Sequence, residues 1–321
     1  MRRRYSPVGQ VSRLAVALAA AGLLTACSAA AGGQEAQDPE AAEEAPVHVI
    51  ATMSIVADLA EHVGQERVRV DTIVPVGADP HTFEASPSDA AGVEQADLII
   101  ANGSGLEEAW LLEMVSGRDT PVALLTDGLE PLQGTVGHDD DEPDPHMWND
   151  PLLVTSYVDN LVEALTEVDP EGGQTYAAQA SAYMDDLEAL DEWVRAGVES
   201  IPPDQRKLVT THDAFSYFGQ RYGFEIVGSL YGVSTEVEPS PTNVAELVAD
   251  VREAGVPAIF VESLTDPTLM ERVAGEAGVE LGDELLGDSV GDPGSGTDTY
   301  DGMLRHNARA IIEGLGGEVE R

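Results

Sequence analysis

The chain has 321 residues, enough for two domains of ordinary size, and its 59 acidic residues outnumber 16 basic ones to give a net charge of −43. This charge excludes nucleic acid and acidic lipid as partners held by bulk electrostatic attraction. The single cysteine, Cys27, excludes an intrachain disulfide and a thiolate metal cluster.

Residues 1–26 have the pattern of a secretory signal. A basic leader containing Arg2-Arg3-Arg4 precedes an apolar run at 14–24, which is too short to span a bilayer as a stable helix. The run ends in Leu24-Thr25-Ala26-Cys27, which resembles the bacterial lipobox. That resemblance implies cleavage before Cys27 and a lipid on its thiol; the alternative is a secreted protein with an unmodified cysteine.

From residue 47 onward, short β-rich runs alternate with helical patterns. This alternation predicts an α/β fold of two lobes, each a four-stranded, mostly parallel sheet flanked by helices. The predicted strands are 47–53, 68–75, 96–101, 121–125, 207–211, 224–228, 258–261 and 279–285. The later predicted helices are 151–167, 174–200, 241–254, 267–277 and 298–315. Asp150-Pro151 is a typical helix start, with aspartate at the cap and proline at the first helical position.

The segment 174–200 lacks proline and keeps helical spacing of apolar residues, which predicts a helix of roughly 40 Å. Such a length is more typical of a rigid strut between lobes than of a crossover within one. From the N-terminus, the predicted organisation is a lipoprotein signal peptide at 1–26, a flexible tether at 27–46, an N-terminal lobe at 47–172, a linking helix at 173–201 and a C-terminal lobe at 202–321.

A weak internal repeat supports two lobes. Residues 84–91 and 238–245 are similar, and in each copy a serine before proline, Ser86 or Ser240, predicts a helix N-cap. Asp89 completes a capping box in the first copy. A duplication is therefore favoured over chance similarity.

Three histidines follow predicted strands. They occur in Asp79-Pro80-His81, in Asp144-Pro145-His146 and in Thr211-His212-Asp213, and Asp288 follows the last strand. Ligands of parallel α/β sheets gather at the carboxyl ends of strands, so these four side chains are expected to close on one ion in a cleft between the lobes. Three imidazoles and one carboxylate favour tetrahedral zinc, with manganese as the alternative.

Glu262 also ends a predicted strand. It is expected to orient a ligand histidine without touching the ion, in preference to replacing Asp288 as a ligand. Three further histidines, His48, His62 and His306, are interpreted as ordinary surface or core histidines.

Five ordered motifs together resemble one known family. They are Asp79-Pro-His-Thr-Phe-Glu, Asp144-Pro-His-Met-Trp-Asn-Asp-Pro, Thr211-His-Asp-Ala-Phe-Ser-Tyr-Phe, Thr235-Glu-Val-Glu-Pro-Ser and Phe260-Val-Glu-Ser-Leu. This set is similar to the cluster A-I metal-binding lipoproteins, the solute receptors of zinc and manganese ABC importers, from about residue 47 to the C-terminus. The resemblance implies two α/β lobes joined by one long helix, and a membrane permease as partner.

The same resemblance implies His81, His146, His212 and Asp288 as metal ligands. Manganese-type members often have glutamate at the third position, so His212 favours zinc. Zinc-type members often carry a long histidine-rich acidic loop before the second ligand, whereas this chain has only residues 137–144 with His138. Two interpretations of that loop remain, metal capture or a solvated charge run, and the second is favoured.

These observations predict an extracytoplasmic, lipid-anchored, monomeric zinc receptor that delivers its ion to a permease. A zinc hydrolase is the main rival, but the sequence has no His-Glu-x-x-His motif, and four ligands would leave no position for a catalytic water. A surface adhesin, a label that members of this family have also carried, has no apolar patch in the sequence to support it.

Overall fold

The computed structural model describes residues 45–134 and 143–319, and Ala45–Arg321 forms one compact unit. The predicted signal peptide, nearly all of the tether, Cys27 and His138 lie outside the described residues. The described helices are α1 (Ser54–Gly64), α2 (Pro87–Val93), α3 (Glu108–Val115), α4 (Pro151–Val168), α5 (Gly173–Glu199), α6 (Ser216–Tyr222), α7 (Pro241–Ala254), α8 (Thr268–Ala277) and α9 (Tyr300–Gly314). Each of these is too short or too polar to span a lipid bilayer.

The first half of the folded chain contains a four-stranded parallel sheet. Its strands are β1 (Val47–Ala51), β2 (Val68–Thr72), β3 (Leu98–Ala101) and β4 (Val122–Leu124), in the order β2-β1-β3-β4. All four residues of β3 are buried, as expected for an inner strand covered by helices on both faces. The predicted α/β fold with parallel sheets is confirmed here.

The second half repeats this strand order with a less regular sheet. Its strands are β5 (Lys207–Thr210), β6 (Glu225–Ser229), β7 (Ala258–Ile259) and β8 (Glu280–Leu281). They form two parallel pairs, β5-β6 and β7-β8. The amide of Phe260 donates to the carbonyl of Val209 over 2.9 Å and joins the pairs, so the order is β6-β5-β7-β8. The two halves therefore share one arrangement of strands.

The strand predicted at 279–285 is interrupted. After Leu281 the chain passes against the ring of Phe260, where a Cβ on Gly282 would lie 2.3 Å from a ring carbon. Pairing resumes at Leu285, whose amide donates to Val261 over 2.8 Å. Close packing of the backbone on a buried aromatic ring thus divides what the sequence predicts as one strand.

Helix α5 is the longest described helix and extends from Gly173 to Glu199, close to the predicted range. It packs against α1 and α4, which precede it, and against α9, which follows it. Its buried positions keep helical spacing, from Tyr176 through Leu187 to Val198. The helix therefore contacts both halves of the chain, while the division of domains at residues 172 and 202 stays a prediction.

The repeated segments begin helices in the same way. The hydroxyl of Ser86 accepts from the amide of Asp89, and the Asp89 carboxylate accepts from the amide of Ser86. Ser240 and Asn243 form the same reciprocal pair at the start of α7. The capping box at Asp89 is confirmed, and the second, which uses an amide in place of a carboxylate, extends the similarity between the halves.

Candidate metal centre

The four predicted metal-binding side chains lie in loops that follow parallel strands. His81 lies between β2 and α2, His146 between β4 and α4, and His212 directly after β5. Asp288 follows the pairing that resumes after β8. The start of α4 was predicted correctly, since Asp150 accepts the amide of Leu152 and Pro151 is the first helical residue. That start fixes where the loop of His146 ends.

The structure brings these four side chains together. Nε2 of His146 lies 3.2 Å from Nε2 of His81 and 3.3 Å from Nε2 of His212. The carboxylate oxygens of Asp288 lie 3.7 Å from His81, 3.5 Å from His146 and 3.3 Å from His212. A tetrahedral zinc ion with bonds of about 2.0–2.1 Å separates its ligand atoms by about 3.3 Å. The cluster therefore has the dimensions of one coordination shell.

The cluster is shielded from water. The side chains of His81, His146, His212 and Asp288 are 5%, 0%, 2% and 2% exposed. Within the described residues, no group donates a hydrogen bond to the buried Oδ1 of Asp288. A buried carboxylate oxygen without a donor is costly unless a cation is near it, so the donor set fits a bound metal ion.

Asp144 holds His146 through two contacts. Its Oδ1 accepts from the backbone amide of His146 over 2.9 Å and lies 2.7 Å from Nδ1 of the ring. A carboxylate at Nδ1 favours the tautomer with its proton on that nitrogen, which leaves Nε2 free to bind a metal. Asp144 belongs to the Asp-Pro-His motif of His146, but this contact was not predicted from the sequence.

Glu262 holds His212 in the same manner. Oε1 of Glu262 accepts the backbone amide of His212 over 2.9 Å, and Oε2 lies 2.6 Å from Nδ1 of the ring. The carboxylate therefore lies on the far side of the imidazole from the other three predicted ligands. This is the contact that an orienting carboxylate makes with a ligand histidine, and the role of Glu262 stays a prediction.

His81 is held differently. Its backbone amide donates to Asp79 over 2.8 Å, and the other oxygen of Asp79 accepts from the hydroxyl of Thr235 over 2.5 Å. Among the described residues, no carboxylate lies at hydrogen-bond distance from Nδ1 of His81. The loop of His81 is thus tied to a loop of the second half, while its ring has fewer restraints than the other two.

A buried polar network supports the loop of His146. The side-chain amide of Asn102 donates to the carbonyl of Pro145 over 3.0 Å, and its oxygen accepts from the hydroxyl of Tyr157 over 2.6 Å. Glu107 accepts from Thr52 over 2.6 Å and from the amides of Asn102 and Gly103 over 2.7 and 3.1 Å. This network was not predicted, because its only signal in the sequence is polar residues after a strand, a pattern that is common in loops.

Burial and neighbouring charges shift the pKa values in the cluster. Burial lowers the pKa of His81 to about 3, so its imidazole is neutral. Burial also opposes charge on His212 and on Asp288, but neighbouring charges outweigh it. The carboxylates of Glu262 and Asp288 raise the pKa of His212. The three imidazoles, led by His212, lower the pKa of Asp288. The centre therefore combines an ionised carboxylate with imidazole nitrogens, a set that attracts a cation.

The other described histidines lie away from this cluster. His48 contacts Asp71 and the carbonyl of Gln95, His62 stacks on Tyr183, and His306 contacts the carbonyl of Glu284. Each has structural partners in its own surroundings. Their interpretation as ordinary histidines agrees with these positions.

Comparison with known proteins gives consistent matches over the folded chain. Residues 49–314 match the family profile of ZnuA, described as zinc-uptake complex component A, periplasmic. The chain is 36% identical over 289 residues to the manganese-binding lipoprotein MntA of Halalkalibacterium halodurans, covering 89% of this chain and 94% of that protein. It is 34% identical over 308 residues to the zinc-binding protein TroA of Treponema pallidum, covering 94% of this chain and 98% of that protein.

The solved structure of periplasmic zinc-binding TroA from Treponema pallidum has the same fold. It superposes with a TM-score of 0.79 at 32% identity and covers 84% of this chain and 99% of that one. The matched proteins are solute-binding proteins and not enzymes, which excludes the hydrolase interpretation. The chain belongs to the ZnuA-type family of metal ABC transporter solute-binding proteins, which bind metal ions and act with a membrane permease.

Proposed function

We propose that this protein captures one zinc ion with His81, His146, His212 and Asp288 and delivers it to the permease of its importer. The observation that carries the proposal is the convergence of three imidazole nitrogens and one carboxylate at separations of 3.2–3.7 Å. Four protein ligands in a buried site leave no open position for a catalytic water, and a closed coordination shell of this kind suits the capture of an ion.

Zinc is the proposed cargo because nitrogen outnumbers oxygen among the ligands. Imidazole donors suit zinc, whereas manganese is found where carboxylates and other oxygen ligands predominate. Asp144 and Glu262, which lie at Nδ1 of His146 and His212, also favour the tautomer that keeps a proton on Nδ1 and leaves Nε2 to bind zinc.

Manganese is the second candidate, and one contact favours it. Asp288 directs both carboxylate oxygens toward the histidines, with Oδ1 3.5 Å from His146 and Oδ2 3.3 Å from His212. A carboxylate that binds through both oxygens would raise the oxygen content of the shell, which suits manganese better than zinc. The relative MntA is named for manganese and TroA for zinc, so relatedness supports both metals.

The proposed location is the extracytoplasmic face of the cell membrane, with a lipid on Cys27 and residues 27–46 as tether. This rests on the Leu-Thr-Ala-Cys motif and on a relative that is named a lipoprotein. A Cys27→Ser variant is expected to move from the detergent phase to the aqueous phase in membrane partitioning. The protein is proposed to act as a monomer, which light scattering of the purified chain would test.

Metal analysis tests the cargo. Protein purified without chelator is expected to contain one equivalent of zinc, and zinc is expected to displace manganese in a competition titration. Alanine variants of each proposed ligand should lose most of the affinity, while the matched variant His306→Ala should keep it. If the wild-type protein binds neither metal tightly, or if the ligand variants bind as well as wild type, the proposal is wrong.

Delivery is tested in cells. A strain that lacks the protein is expected to take up less radioactive zinc at low external metal, and the wild-type gene should restore uptake while ligand variants should not. Release requires at least one ligand loop to shift, and the long helix α5, packed on both halves, favours a small movement over a wide hinge.

A further inference from the structure

Trp148 lies two residues after His146 and makes contacts across the molecule. Its side chain is fully buried, and its indole Nε1–H donates to the carbonyl of Gly287 over 2.9 Å. Its backbone carbonyl accepts from the hydroxyl of Tyr300 over 2.7 Å. The indole also meets the ring of His146 edge-on, with centroids 5.1 Å apart and planes at 73°. The Trp148 side chain thus contacts the proposed ligand His146 and the peptide that precedes the proposed ligand Asp288.

Gly287 lies where the backbone passes closest to the metal centre. A Cβ at this position would lie 2.4 Å from Oε2 of Glu262 and 3.2 Å from Cε1 of His212. No side chain larger than hydrogen fits there unless these groups move. Trp148 therefore holds the carbonyl of a backbone segment that packs against the His212 ring. The position of this segment also sets the position of Asp288, the next residue.

We propose that Trp148 is a positioning residue that couples His146 to Asp288 and keeps both in the geometry that binds the ion. This inference rests on the proposed function, because it concerns the same centre. The indole N–H restrains the peptide between Gly287 and Asp288, and the indole edge limits the tilt of the His146 ring. In a fully buried location water does not replace a lost donor, so the Gly287 carbonyl would be left without its partner.

A Trp148→Phe variant separates this role from simple core filling. Phenylalanine keeps an aromatic ring in the core but removes the N–H donor, so Asp288 gains freedom while most of the packing remains. Trp193→Phe is the matched control, because Trp193 lies on α5, where its ring contacts Arg305. Outer contacts that orient metal ligands typically contribute about 10- to 100-fold to affinity.

The experiment uses the purified mature chain with zinc and cobalt(II) as probes. Trp148→Phe is expected to weaken zinc binding about tenfold and to change the intensity and position of the visible bands of bound cobalt, which report coordination geometry. Trp193→Phe is expected to leave both unchanged. Gly287→Ala should also alter the cobalt spectrum, because its Cβ displaces Glu262 or His212.

The outcomes separate the two proposals. A wild-type protein that binds neither zinc nor cobalt would refute the proposed function itself. A wild-type protein that binds both, with Trp148→Phe identical in affinity and spectrum, would refute only the positioning role. If Trp148→Phe does not fold, benzothienylalanine is placed at position 148 in a chain whose other tryptophans are replaced by phenylalanine. This residue keeps the bicyclic shape of tryptophan and lacks the N–H donor. An unchanged cobalt spectrum in that variant would overturn the inference.

Discussion

Replacing Glu262 with glutamine tests how the centre prepares His212 for metal binding. Glutamine keeps the size of the side chain, and its oxygen is able to accept the backbone amide of His212, now 2.9 Å from Oε1. Its NH₂ group would then face Nδ1 of the ring, which is 2.6 Å from Oε2. Because that group is a donor, it favours the tautomer with the proton on Nε2, the nitrogen that must be free to bind the ion.

The expected cost follows from this change of tautomer. Loss of an orienting carboxylate weakens metal affinity about 10- to 100-fold, or about 1.4–2.7 kcal/mol. Metal binding stabilises the folded state by mass action, so the stabilisation by excess zinc falls by the same amount. At roughly 2–4 °C per kcal/mol for a unit of this size, the rise in Tm on adding zinc should shrink by about 5 °C.

Chelator competition and thermal unfolding with and without zinc provide the measurements. Glu246→Gln, an exposed position on α7, is the matched control and should behave as wild type. The opposite outcome is a Glu262→Gln variant whose Tm falls equally in the metal-free and zinc-loaded protein and whose zinc affinity is unchanged. That result would mean that Glu262 stabilises the fold without preparing His212.

Three further changes test separate parts of the structure. His212→Glu, combined with Glu262→Gln to avoid adjacent carboxylates, should lower the preference for zinc over manganese about tenfold in competition titration, because oxygen replaces nitrogen in the shell. The hydrogen bond with Asp58 raises the pKa of His62 to about 9 from 6.5. Because His62 is partly exposed, we expect the pair to stabilise the fold by about 1 kcal/mol. This stabilisation is complete below pH 6.5 and is lost as pH rises through 9. The unfolding free energy of His62→Gln, measured in urea, should therefore depend less on pH over that range than that of wild type. Glu107→Ala leaves three buried donors without an acceptor and should lower the unfolding free energy by about 3 kcal/mol or more in urea titration.

Each of these has a control and an opposing result. Unchanged selectivity in the double variant would show that position 212 does not set the choice of metal. His306→Gln should leave the pH profile as in wild type; if His62→Gln does the same, the pair with Asp58 does not stabilise the fold. Glu163→Ala, an exposed position on α4, should change the unfolding free energy by no more than about 0.5 kcal/mol, and an equally small effect at Glu107 would contradict the network.

Features that depend on residues close together in the sequence were predicted correctly. The start of α4 at Asp150-Pro151, the capping box at Ser86 and the extent of α5 follow from local propensity and hydrogen bonding. The strand runs and their parallel arrangement follow from short alternating segments. The candidate ligands followed from position, because a polar side chain after a parallel strand must lie at the carboxyl edge of the sheet.

The α/β class, the order of strands and helices along the chain and the residue types available to an ion all follow from the sequence alone, whereas strands such as β2 and β7 end two or three residues before their predicted ends. Tertiary packing sets the contacts that join distant segments, such as Trp148 with Gly287 and Asn102 with Pro145. It also decided the break after β8, where the chain packs on Phe260. These contacts have no local signature, because they depend on how the segments pack once the core has formed.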